Sequence, residues 1–186
     1  SPVVVGSAVN TANANSITVS GRYAYTANAD HSLRIFDISN PSSPVSVGAL
    51  AVACCVSNVY VSGKYAYIAK YFSFDIIDIS NPASPVLLSS PSVAGYAHDI
   101  YVSGRYAYMV GSDNSTLTVF DVLNPMAPVK VGSISTGSNP SDISISGRYA
   151  YIINATSKTL QTFDISGLET TSAIVHSLEA GNLQVR

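Results

Sequence analysis

Charge is what this sequence has least of. Only 11% of its 186 residues are charged, well under the quarter usual in globular domains, and the nine Lys and Arg nearly balance the eleven Asp and Glu. With a net charge of −2 and no block of one sign, nothing in the chain attracts a polyanion, so neither a nucleic acid nor an anionic membrane surface is an expected partner. Tryptophan is absent, and no apolar run approaches the ~18 residues of a membrane-crossing helix, so membrane insertion is not expected. No ten-residue amphipathic helical segment can be found before the C-terminal tail. The chain opens on Ser1 rather than Met and reads as a processed form or a fragment.

Cysteine is nearly missing too. The only two are adjacent, Cys54 and Cys55, with no metal-ligand spacing around them. Two buried thiols, a strained vicinal disulfide or a thiol pairing between chains all fit, with buried thiols the default for so apolar a side chain.

What is abundant is Ser, Thr, Asn and Tyr, arranged in repeats. Val19-Ser-Gly-Arg-Tyr-Ala-Tyr25 returns at Val61–Tyr67, Val102–Tyr108 and Ile145–Tyr151. Phe36-Asp-Ile-Ser-Asn-Pro41 returns from Ile77 and Phe120, and a shortened copy from Phe163. A small residue and proline recur at Pro2, Pro44, Pro85 and Pro128, a period of ~42 residues, which is the length of a propeller blade. Within one period the alternation is twofold. Ile17–Val19, Tyr23–Tyr25, Leu33–Ile38 and Val45–Val47 are four short strands punctuated by Ser-Gly, a polar loop, and Asn-Pro with Ser-Pro. In each second strand an alanine (Ala24, Ala66, Ala107, Ala150) sits between two tyrosines. One face is thus small and the other large, as sheets need when each packs between two neighbours.

These observations predict an all-β fold: a β-propeller of four-stranded antiparallel blades, four repeats in this chain. The repeats cover 1–166, with blades at about 1–42, 43–83, 84–126 and 127–166. Pro2–Gly6 matches an outer strand, and the array ends just after a third strand, so a strand clasp between the N-terminal segment and the last blade is expected. Four blades closing on themselves, two chains joining into eight, or further blades all follow from the same pattern. The tail, 167–186, departs from it. A short helix over Thr170–Ala180 followed by a strand would cap the last blade or begin a fibre or oligomerisation segment.

The motifs Gly-[Arg/Lys]-Tyr-Ala-Tyr, apolar-Asp-Ile-Ser-Asn-Pro and Ser-Pro-Val resemble the LVIVD-repeat family of bacterial and archaeal surface proteins. The resemblance spans about residues 1–166. It implies a β-propeller and an extracellular or cell-surface setting, and it carries over no catalytic motif.

Repetition also sorts the candidate residues, because a residue present in every blade is read as scaffold. Asp37, Asp78, Asp121 and Asp164 recur, as do Arg22, Lys64, Arg105 and Arg148; they are expected to tie turns together at one edge of the blades. The opposite edge carries the variable loops. There Tyr71 and Phe72 replace small polar residues, Tyr96, His98 and Asp99 form a second exception, and Asp30 with His31 a third. Aromatic rings beside hydrogen-bonding groups suit a sugar ring or a partner's apolar anchor. Asp99, matched by Asp142, reads equally as a strand cap. Asn114 and Asn154 each begin a glycosylation sequon. No His pair has metal spacing, no Gly-rich phosphate cradle occurs, and His98 and Asp99, adjacent on a strand, face opposite ways. The expectation is a non-catalytic surface propeller without cofactor, binding a glycan or protein by its variable face. The alternative is a self-assembling subunit of a fibre or surface layer; an enzyme comes third.

Overall fold

The computed structural model describes residues 1–53 and 55–167. Each repeat folds as predicted into antiparallel strands. Blade one is β1 (Ala14–Ser20), β2 (Tyr23–Asn28), β3 (Ser32–Asp37) and β4 (Val45–Ala51), paired in that order. Blade two is β5 (Val56–Ser62), β6 (Tyr65–Asp78) and β7 (Val86–Ser89). Here β6 carries both the second and the third strand and doubles back at Tyr71–Phe72; its first half pairs β5 and its end pairs β7. Blade three is β8 (Ser92–Ser103), β9 (Tyr106–Gly111), β10 (Thr116–Asp121) and β11 (Val129–Ser135), and blade four is β12 (Pro140–Ser146), β13 (Tyr149–Asn154) and β14 (Thr159–Asp164).

Two backbone devices repeat with the sequence. The turn between first and second strands holds Gly21, Gly63, Gly104 or Gly147 at φ of 57–58°, where a Cβ would be strained. A left-handed residue also precedes each third strand: His31, Phe72, Ser115 and Lys158. Every first strand is bulged near its start, at Asn15, Ser57, His98 and Ser141, which rotates the residue that follows.

The core lies between blades. The tyrosine face of blade one (Tyr25, Ala27, Leu33, Ile35) packs on the alanine face of blade two (Val59, Ala66, Ile68, Ile77). Tyr67, Ala69, Phe74 and Ile76 meet Ile100, Ala107, Met109 and Phe120 in the same way, and Tyr108, Val110, Leu117 and Val119 meet Ile143, Ala150 and Ile152. Each buried Val, Leu, Ile, Phe or Met among them contributes roughly 1.5–3 kcal/mol. First strands touch in the sequence β1, β5, β8, β12, so they form the inner wall.

Three sequence expectations change. Strand pairing places the segment after each Ser-Pro with the three strands before it, so the blades run 14–51, 56–89, 92–135 and 140–164 rather than breaking at 42, 83 and 126. The clasp is not formed within one chain: among the described residues β14 pairs only β13, and residues 1–13 hold no strand. Instead Gly6 lies against the Pro41 carbonyl, as Gly48 lies against that of Pro82, so the N-terminal segment follows the course of an outer strand one blade earlier. Finally, Cys55 is exposed, against the default of buried thiols, and its N–H donates to His31 Nδ1 at 3.0 Å. Cys54 and the expected tail helix and strand lie outside the described residues.

Candidate functional site

Repetition separates three sets of polar and aromatic residues. The first is the regular rim. Asp37, Asp121 and Asp164 pair with Arg22, Arg105 and Arg148, and Lys64 lies close enough to Asp78 to lower its pKa. Each carboxylate also accepts the backbone N–H two residues on, for example Ser39 to Asp37 at 2.9 Å and Leu123 to Asp121 at 3.0 Å. These bonds hold all four carboxyls below the usual carboxylate range: the Arg22 hydrogen bond leads at Asp37, the Arg105 bond at Asp121, and the serine two residues on at Asp78 and Asp164. Each basic side chain covers the next tyrosine ring, at 5.1–5.5 Å. Three ion-paired clamps, and a fourth in which Ser80 takes the leading part at Asp78, stabilise the four turns.

The second set lines the inner wall. The bulge turns Ser16, Asn58, Asp99 and Asp142 into equivalent register positions, opposite Ala27, Ala69, Val110 and Ile153. They link neighbouring blades. Ser16 Oγ accepts from Val59 N–H at 3.4 Å and donates to Asn58 Oδ1 at 3.2 Å; Asp99 Oδ2 accepts from Ile143 N–H at 2.9 Å. The bulged residues themselves do likewise, Asn15 donating to Val56 C=O at 2.8 Å and Ser57 to Ala97 C=O at 2.7 Å. In blades three and four the wall residues are both acids, and their carboxyls meet. Burial, with the Asp142 hydrogen bond and its like charge, pushes Asp99 up to about 7, although the Ile143 and Ile100 N–H groups favour the anion. Asp99 is buried and Asp142 exposed, so the raised carboxyl is the one inside the wall while its neighbour faces solvent. Two residues further on, the Tyr60 and Tyr101 rings lie 4.7 Å apart.

The third set is the aromatic exception. Tyr71 pairs across blades with Tyr96, and Ser73 with Ser92, so that β6 and β8 join blades two and three into one seven-stranded sheet. Four rings gather at this seam: Tyr71–Phe72 at 4.9 Å, Tyr71–Tyr96 at 4.8 Å and Tyr96–His98 at 5.7 Å. Tyr71 and Phe72 are exposed. Of the seven candidate residues, then, Tyr71, Phe72, Tyr96 and His98 come together. Asp99 points instead into the inner wall beside Asp142. Asp30 and His31 are spent locally: Asp30 accepts from Ser32 at 2.5 Å and from Arg34 at 2.7 Å, which lowers its pKa, and His31 holds Cys55. Of the two sequons, Asn154 is buried and bonded to Thr159 and Gln161, and the Asn114 amide donates to Ala94 C=O at 2.5 Å.

Sequence reasoning missed the joining of Asp99 to Asp142, for which their matched repeat positions were the available signal. It also missed a buried ion pair, Lys70 Nζ to Asp75 Oδ1 at 2.6 Å, just below the aromatic seam. The signal there was two charges at positions where other blades place Asn28 and Arg34 or Asn154 and Gln161.

The fold is shared with known structures. The chain superposes on the computationally designed Ika4 protein with a TM-score of 0.73 at 11% identity, covering 89% of this chain and 99% of that one. The Pseudomonas aeruginosa periplasmic gluconolactonase PpgL gives 0.71 at 17% identity over 81% of this chain, and the Myceliophteria thermophila Cps50 (Swd1) β-propeller domain 0.69 at 10% over 82%. The chain spans about half the length of these last two, 49% and 54%. No curated protein matches it. The gluconolactonase corrects one expectation: a propeller of this form is a scaffold for a lactone hydrolase, so the reading of the chain as no enzyme does not stand. The LVIVD repeat model matches four times, over residues 12–52, 55–92, 94–136 and 137–168, and the chain belongs to the LVIVD-repeat family of β-propeller proteins.

Proposed function

We propose that the chain is a surface-displayed or secreted binding propeller that holds a glycan or a protein anchor on the Tyr71–Phe72–Tyr96–His98 seam. One observation carries this reading. Four rings meet where the other blades place mainly polar loop residues, and the two at the tip lie exposed rather than in the core. Rings tilted against one another offer apolar faces with a phenol and an imidazole at their borders, the pairing that suits the C–H face and hydroxyls of a pyranose. The rigid inter-blade sheet beneath them fixes their spacing before any ligand arrives. Tyr71→Ala and Tyr96→Ala test it on a glycan array and by calorimetry against any hit. Each is expected to weaken binding at least tenfold while Tyr23→Ala, on the opposite rim, does so only by unfolding. Binding that survives both changes rules the seam out.

A second reading, hydrolysis at the inner wall, is supported by a different observation. Asp99, with a pKa of about 7, lies against the solvent-facing Asp142, an arrangement suited to passing one proton at neutral pH. The lactone hydrolase among the fold's neighbours makes a lactone the first substrate to try. Turnover that persists in Asp142→Asn dismisses this reading.

A further inference from the structure

We infer that the ligand of the aromatic seam is a neutral sugar, and that His98 and Asn58 determine its specificity by hydrogen-bonding its hydroxyls. The inference rests on the seam proposed above and names the ligand class and the two polar side chains that read it. It comes from comparing the polar links between blades, junction by junction. In the first kind of link a bulged residue reaches the backbone of the next blade. Asn15 donates to Val56 C=O at 2.8 Å and Ser57 to Ala97 C=O at 2.7 Å. His98 is the next bulged residue, and by the same register its partner would be Pro140 C=O. No such bond forms among the described residues. The half-buried ring stands edge-on to Tyr96 at 5.7 Å instead, and neither nitrogen has a described partner.

In the second kind of link the residue after the bulge accepts from the next blade. Ser16 accepts from Val59 N–H at 3.4 Å and Asp99 from Ile143 N–H at 2.9 Å. Between blades two and three this link is missing, because Ile100 N–H donates back to Asp99 Oδ1 at 2.8 Å. Asn58 Oδ1 takes the Ser16 hydroxyl at 3.2 Å, and Asn58 Nδ2 has no partner among the described residues. Asn58 and His98 follow directly on the two ends of the Ser57–Ala97 bond, so their backbones lie side by side, next to Tyr96 of the seam. An amide N–H and a neutral imidazole together offer donors and an acceptor. An apolar protein anchor seated on the rings would shut both groups off from water without replacing the bonds lost. A pyranose lays its C–H face on the rings and turns hydroxyls, which donate and accept, toward the border. Charge makes the sugar neutral. Four cations clamp the opposite rim, Arg34 pairs with Asp30, Lys130 lies on outer strand β11 and Lys158 in the loop of blade four. Lys70 is buried against Asp75, so the variable loops of blades two and three hold no unpaired Lys or Arg for a uronate or sialate, while Asp142 faces solvent on the adjoining wall.

An array of neutral oligosaccharides beside uronate- and sialate-bearing counterparts tests the class. Calorimetry with the tightest hit and its deoxy analogues tests the residues. A neutral glycan is expected to bind at least tenfold tighter than its acidic counterpart. His98→Phe keeps the edge contact with Tyr96 but lacks the nitrogens, and Asn58→Ala lacks the amide; each is expected to weaken binding about tenfold. Each variant should lose nothing more on the deoxy analogue that lacks the hydroxyl it reads, a coupling that a folding defect would not produce. Ser16→Ala breaks the same Ser16–Asn58 bond without touching Nδ2 and should bind as wild type. Weakening by Tyr71→Ala with none by His98→Phe and Asn58→Ala would leave the seam standing and overturn this inference. Preference for an acidic glycan, or no neutral hit at all, would overturn it as well. Binding indifferent to both Tyr71→Ala and Tyr96→Ala would instead remove the seam, and this inference with it.

Discussion

Asp99 sets the sign of stability against pH in a window where few carboxyls act. Burial is the largest influence on it, joined by the hydrogen bond and like charge of Asp142, and the result is a rise from 3.8 to about 7. Between those values the folded chain keeps the proton and the unfolded chain has lost it. Folding therefore takes up a proton, and stability falls as pH rises from about 4 to about 7, then levels. An interval of about three pH units at 1.36 kcal/mol each is worth ~4 kcal/mol. Asp30, Asp37, Asp78, Asp121 and Asp164 have lowered values, so their contribution is lost only as pH falls below their ordinary range, in a separate window. Asp99→Asn removes the titration, but its single carbonyl oxygen cannot serve both Ile100 and Ile143 N–H groups, which now bond to different carboxylate oxygens. That loss costs ~1–3 kcal/mol at every pH. In urea titrations the variant should start below wild type at acid pH and meet or pass it by about pH 8, and this crossing of the curves is the signature. Asp142→Asn, which leaves the burial of Asp99 untouched, should keep a slope of the same sign but smaller. Wild-type stability that is flat or rises from about pH 5 to 8, or an Asp99→Asn curve parallel to it, would refute the reasoning.

Two other perturbations separate local causes. Lys70→Met should cost ~3–5 kcal/mol, because it strands a buried Asp75 carboxylate that has no other hydrogen-bond partner among the described residues, and Lys70→Met/Asp75→Leu should recover most of that; urea midpoints read both, and equal losses in single and double variants would contradict the ion-pair account. Gly48→Ala would set a Cβ 1.9 Å from the Pro82 carbonyl oxygen and should lower stability by ~1–3 kcal/mol, while Gly132→Ala, with nothing within 4 Å, should change it little; thermal unfolding of the pair decides whether that close approach fastens adjacent blades.

The fold was legible because each blade states its own rules four times. Alternation of Tyr and Ala specified which face meets which, and Ser-Gly and Asn-Pro marked turns, the Ser-Gly ones used by the backbone with φ of 57–58° at Gly21, Gly63, Gly104 and Gly147. What the Ser-Pro period blurred was where one blade ends, although the strand pattern already reads Val45–Val47 as the fourth strand after Leu33–Ile38. Ser-Pro marks a period equally well whether Val45 begins a blade or ends one, and the β3–β4 hydrogen bonds settle it. The closing strand failed for a related reason. The pattern of Val3–Gly6 specified an outer strand but not how far β14 lies from it, and four blades do not bring them together. Bulges were the other blind spot. His98 and Asp99 do face apart, yet the bulge at His98 is what directs Asp99 to the inner wall and places its carboxyl on that of Asp142.

Departures from the repeat divide by whether the fold repays them. Lys70 and Asp75 break the pattern in the interior, and each neutralises the other, so the exception is complete within the molecule. Phe72 is different. It takes the left-handed conformation at φ 58°, where L residues are disfavoured by ~1 kcal/mol or more and where Gly or Asn would sit with less strain. A bulky ring at such a site ordinarily recovers that cost through burial, but Phe72 is exposed, and its contact is with Tyr71, which is exposed as well. Neither ring adds to the inter-blade core, and the backbone pairing of Tyr71 with Tyr96 requires no aromatic side chain. The left-handed turn itself recurs at His31, Ser115 and Lys158, with His31 and Lys158 exposed as well, so its strain belongs to the turn; what is particular to this blade is an aromatic ring that serves neither the turn nor the core. For that reason Phe72→Asn should leave the fold unchanged or slightly more stable, as urea midpoints would show, while weakening the binding proposed for the seam.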